Sequence, residues 1–118
     1  VSRIFRRAAF TTATISNGTA TSDAIDFTMW SMMQVQMPAV WTSASIGFSV
    51  STASDGTFGV LYDDDGTLVQ IDSPTALKVY TAPADIAASG YIKLWSQDGS
   101  AAPTNQGGDR TLRLTVKA

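Results

Sequence analysis

Three carboxylates stand side by side in LYDDDGTLVQI, residues 61–71: Asp63, Asp64 and Asp65. Adjacent acids can hold a hard cation through oxygen ligands, exchange protons as an acid–base pair, or turn a corner by bonding their own backbone. The surroundings argue for the corner. Asp-Gly followed by Thr is a strong hairpin signal, with Gly66 supplying a positive backbone angle, and the apolar segments FGVLY (58–62) and TLVQI (67–71) flank it. Neighbouring carboxylates alternate in direction, so three in a row are not expected to face one ion. A calcium helix-loop places acids at alternate positions and closes on a Glu, and this stretch offers neither. Asp63 and Asp65 remain the alternative, a weak calcium pair; otherwise no metal and no cofactor is expected.

The chain has no His and no Cys, and its ten acids are all Asp. Ser–His and Cys–His catalysis, sulfur-based zinc sites and paired-Glu mechanisms are therefore excluded. NQGGDR (105–110) lacks the Lys-Ser/Thr that would complete a phosphate loop. With no neutral-pH base and no metal cluster, the chain is not expected to be an enzyme.

Trp30, Trp41, Trp95, Tyr62, Tyr80 and Tyr91 could stack on sugars or single-stranded nucleic acid. They are not interleaved with basic residues as a nucleic-acid groove requires, so most are read as core and no nucleic acid is expected. Trp41, following Pro38 in QMPAVW, and Trp95 are the candidates for facing a ligand.

The net charge of −2 is unevenly spread. Residues 1–10, VSRIFRRAAF, hold Arg3, Arg6 and Arg7 and no acid, which leaves five basic against ten acidic groups in the rest. Such an arm could be a loose tail, a thin nucleic-acid contact or a docking segment. Docking is favoured, because Ile4, Phe5 and Phe10 offer apolar anchors while the guanidinium groups of Arg3, Arg6 and Arg7 pair with acids across an interface. The apolar run after the arginines is too short for a signal-peptide core. MWSMMQVQMPAVW (29–41) is too interrupted to cross a membrane, so no membrane partner is expected.

At 118 residues the chain has room for one domain, drawn here as 11–118 behind the arm 1–10. Alternation of period two dominates. RTLRLTVK (110–117) sends Leu112, Leu114 and Val116 one way and Thr111, Arg113, Thr115 and Lys117 the other. MQVQM (33–37) and SIGFSVS (45–51) repeat the pattern; ATIS (13–16), FGVLY, TLVQI, ALKVY (76–80) and YIKLW (91–95) are weaker strands. Turn formers separate them, and one helical turn is expected in APADIAA (82–88), with Pro83 at its first position and Gly90 as its stop. The fold expected is all-β, a single antiparallel β-sandwich of jelly-roll-like form.

Three stretches carry a resemblance: ATISNGTATSDAIDF, VQMPAVWTSASIGFSVSTASDGTFGVLYDDDGT and YIKLWSQDGSAAPTNQGGDRTLRLTVKA. From residue 13 onward the chain resembles small proteins encoded among the virion genes of tailed bacteriophages and related prophages. The shared features are QMPAxW, a Ser-x-x-x-Asp-Gly turn before an aromatic, LYDDDGT and the AAPxNQxxDRxLxL close. What the resemblance implies is a β-rich, non-catalytic part of a phage particle. In size, acidity of body and basic arm the chain looks like a capsid decoration (cement) protein on the outer surface of the virion. Such a protein bridges copies of the major capsid protein as a homo-oligomer, with a trimer favoured. The alternative is a carbohydrate-binding or host-attachment module of a head fibre, neck or tail.

Overall fold

The structure, a computed structural model, describes residues 7–118. Arg3, Ile4, Phe5 and Arg6 of the proposed docking arm lie outside the described residues. Nine strands follow one another: β1 (Ala8–Ile15), β2 (Ile25–Asp26), β3 (Met32–Gln36), β4 (Ser45–Ser51), β5 (Gly59–Val60), β6 (Gln70–Ile71), β7 (Val79–Thr81), β8 (Tyr91–Gln97) and β9 (Arg110–Lys117). They form two antiparallel sheets, one ordered β1-β9-β3-β7 and the other β2-β8-β4-β5 with β6 also on β4.

The chain changes sheet at almost every connection; only β4, β5 and β6 follow one another within a sheet. With β5 and β6 counted as one interrupted strand along β4, first and last strands are neighbours in one sheet and second and next-to-last in the other. That is the jelly-roll arrangement, and it bears out the fold expected from alternation.

The inward residues of the two sheets meet in one core. Ala13 and Ile15 from β1, Met33 and Val35 from β3, and Leu112, Leu114 and Val116 from β9 face Ile46 and Phe48 from β4 and Ile92 and Leu94 from β8. Each large side chain so buried contributes about 1.5–3 kcal/mol. The register follows from this pattern, because a slip of one residue would turn a strand's apolar set to water.

Two expectations need adjusting. β1 begins at Ala8, so the boundary drawn at residue 10 falls inside it, where Ala9 and Phe10 sit opposite Val116 and Thr115. The helical turn is a 3-10 turn over Ala84–Ala88; Pro83 precedes it as a cap with ψ at 144°, and it ends at Ser89, one residue before Gly90. Its anchor is Ile86, buried against the core. No helix among the described residues is long and apolar enough to cross a membrane.

Candidate functional site

The Asp63–Asp65 loop closes as a hairpin. The Asp63 carboxylate accepts hydrogen bonds from the amides of Asp65 (2.9 Å) and Thr67 (2.8 Å), and Gly66 takes a φ of +79°. The loop backbone is curled rather than extended, and this overturns the expectation that neighbouring acids point apart. One oxygen from each of Asp63, Asp64 and Asp65 lies within 4.8 Å of the others. The oxygen of Asp63 that bonds the two amides already serves the turn.

Trp95, expected to face a ligand, is buried. It lies on the outer side of the five-stranded sheet, yet only 7% of it is exposed, because the indole is laid over Gly47 on the neighbouring strand β4. A Cβ at Gly47 would sit 2.5 Å from Trp95 Nε1, and that buried nitrogen has no hydrogen-bond partner. The missing side chain of Gly47, directly opposite on the neighbouring strand, made the cover possible, and alternation alone could not reveal it. Trp41 is half-buried against the core, and its Nε1 donates to the Ala44 carbonyl at 3.1 Å. The structure does not bring the two tryptophans together as a stacking surface.

The polar residues of the C-terminal close hold loops. Gln106, 1% exposed, accepts from the Thr42 amide (2.9 Å) and from Arg110 Nε (3.2 Å) and donates to the Thr42 carbonyl (3.1 Å). Asp109 accepts from the Asn17 amide at 2.8 Å. These side chains join the turns at one end of the sandwich, which is reason enough for their presence.

What remains open is the outer face of the four-stranded sheet. Register places Phe10, Thr115, Gln34 and Thr81 in one row across it and Thr12, Arg113, Gln36 and Val79 in the next. Phe10 is 82% exposed and Val79 57% exposed, and Met32 adds a third uncovered apolar side chain. Two shallow grooves run along the face. One, of about 410 Å³, is lined by Phe10, Gln34, Gln36, Val79 and Arg113; the other, of about 500 Å³, by Met32, Gln34, Thr81, Pro83, Ala87 and Lys117.

None of the ten acids lies on the strands of this sheet, and its outward charges are Arg113 and Lys117. The face therefore offers apolar groups, amides and two cations, with no acid–base pair. Exposed apolar side chains ringed by amides and cations are a composition found on protein contact surfaces. Of the arm residues predicted for docking, Phe10 stands on this face, and Arg7 is exposed just before β1, its carbonyl accepting from the Ala118 amide at 3.1 Å. Gln34 and Gln36 were legible as outward residues in MQVQM, and Met32 extends their alternation by one step on β3; Val79 joins them only because β3 and β7 are neighbours.

No protein-family model and no curated protein sequence matches the chain. Among solved structures it is similar to the crystal structure of SPBc2 prophage-derived protein YomS, with a TM-score of 0.60, 14% sequence identity, and 100% of this chain and 99% of that chain covered. At that identity the likeness is one of fold, and it extends over the whole sandwich.

Proposed function

We propose that this chain is a non-catalytic structural protein of a tailed-phage particle that lies on the outer surface of the capsid and bridges copies of the major capsid protein. The observation that carries this reading is the open face of the four-stranded sheet: grooved, free of acids along its strands and carrying the uncovered apolar side chains of Phe10, Met32 and Val79. Two further points support it. The sandwich shares its fold with a prophage-derived protein over its full length, and the sequence motifs resemble those of phage virion proteins.

A bridging protein stabilises a shell by multivalency. Once one contact is made, the next acts at high effective concentration, and all must release before the shell opens. In this reading Phe10, Met32 and Val79 supply the desolvated centre of the contact, and Arg7, Arg113 and Lys117 supply its cationic rim.

Quantitative mass spectrometry of purified particles tests the reading. Copy numbers comparable to those of the major capsid protein are expected, as is loss of the chain from particles carrying the paired substitutions Phe10→Asp and Val79→Asp. A chain absent from particles, or present in only a few copies at a tail tip, would overturn it.

A further inference from the structure

We propose that the free edge of β1 pairs antiparallel with β1 of a second copy of the chain, fusing two four-stranded sheets into one across a two-fold axis at Phe10. The inference comes from the hydrogen-bond phase of a single strand and stands apart from the virion reading.

In an antiparallel ladder, opposite residues alternate between pairs that exchange both backbone bonds and pairs that exchange none. The Ala118 amide donates to the Arg7 carbonyl, and register makes those two residues opposite partners, so the bonded pairs on β1 fall at odd positions. The N–H and C=O groups of Ala8, Phe10, Thr12 and Thr14 then point away from β9. Thr14 confirms the phase, because its amide reaches outward to the Asp23 carboxylate at 2.9 Å. Beyond it, Ile15 is bridged by Ser22, so the far end of the edge is already closed. Ala8, Phe10 and Thr12 keep three outward amides and three outward carbonyls along an edge where β9 is the only strand neighbour among the described elements.

Exposed edges are normally protected by shortness, charge or proline. The other edges follow that rule by shortness: β2, β5 and β6 have two residues each, and β7 has three. β1 has eight residues, AAFTTATI, with no charge and no proline. It is long, and open from Ala8 to Thr12.

The occupant follows from the pattern. A second β1 with Phe10 opposite Phe10 also sets Ala8 against Thr12 and Thr12 against Ala8, so all outward groups are satisfied at once in about six bonds. A shift of the axis to either neighbouring residue pair leaves some of them unpaired. This register puts the two exposed Phe10 rings side by side on one sheet face, where cross-strand aromatic pairs are favourable. It also carries the cationic Arg7 of each copy past Ala13 of the other, toward the exposed carboxylate of Asp23. The charges at the two ends of the free edge are opposite in sign, as antiparallel self-pairing requires.

Thr12→Pro is the diagnostic substitution. It removes an outward N–H and leaves the β1–β9 ladder intact, and edge strands tolerate proline. Phe10→Lys is the second variant; it alters a side chain with no buried contact and sets like charges opposite each other at the axis. Sedimentation velocity over a concentration series should give the wild-type chain at twice the chain mass where both variants run at the chain mass. Hydrogen exchange should show Ala8, Phe10 and Thr12 amides slowed on the order of tenfold or more in the dimer and released on dilution. A wild-type monomer, a trimer, a dimer that survives Thr12→Pro, or unprotected edge amides in the dimer would each overturn the proposal.

Discussion

The outer faces of the two sheets differ. On the five-stranded sheet, β4 and β8 are buried from both sides over most of their paired length: Ser45, Gly47 and Ser49, and Trp95 and Gln97, are all buried although they point away from the core. The chain covers this face with itself. Trp95 lies on Gly47, Gln97 donates to Gln70 at 2.7 Å and holds the Gly99 and Ala101 amides, Ser45 donates to Asp72, and Lys93 sits 4.4 Å over the Phe58 ring. On the four-stranded sheet, β3 and β9 alternate between buried and accessible positions, and the outward residues meet no part of the chain that covers them to the same extent. Self-covered faces support stability, whereas a face left open with Phe10, Met32 and Val79 on it has surface to give to a partner.

The comparison can be broken first at Trp95. Trp95→Ala removes the largest side chain of the covered face and should cost about 3–5 kcal/mol in denaturant unfolding; a cost near zero would mean that the cover is superficial. Gln97→Ala leaves Gln70 and the Gly99–Ala101 turn without their buried partner and should cost about 2–3 kcal/mol. Gly47→Ala sets a methyl against the indole, and about 1–3 kcal/mol is expected, read as a lower midpoint at unchanged slope. On the open face, Val79→Ser or Met32→Ser should change the stability of the isolated chain by no more than about 0.5 kcal/mol, while weakening the particle attachment proposed above.

The smallest effect concerns acid titration. The Thr28 hydroxyl (2.6 Å) and amide (2.9 Å) donate to Asp26 and hold its carboxyl below the usual carboxylate range. A depressed folded-state value contributes stability above the unfolded-state value, and that contribution fades as pH falls through the folded one. Thr28→Val should move the Asp26 titration upward in an NMR pH series and lower stability slightly at neutral pH, a difference that disappears as pH falls through the folded-state value.

Much of the fold was legible because a half-buried strand writes its own pattern. RTLRLTVK, MQVQM and SIGFSVS alternate, and each became a strand with the expected residues inward. β2 escaped notice, since two residues cannot show a period. The weaker segments FGVLY, TLVQI and ALKVY shrank to two or three paired residues each, because propensity marks a segment as extended without saying how much of it finds a partner. Sites were less legible. The Asp63 hairpin was readable from Asp-Gly-Thr, whereas the gathering of its three carboxylates depended on loop curvature. Trp95 looked like a ligand-facing aromatic until Gly47 was found beneath it, on a strand more than forty residues away in the chain.

Local order in this protein was set by the chain alone: where strands run, which side of each is apolar, where Asp-Gly and Asn-Gly turns fall, and which chemistries are ruled out by the lack of His, Cys and Glu. Which of the two outer faces would be covered, and which strand edge would stay open, was decided only when distant segments met. A side chain's direction is a property of its own strand, but its exposure depends on whatever else comes to lie above it.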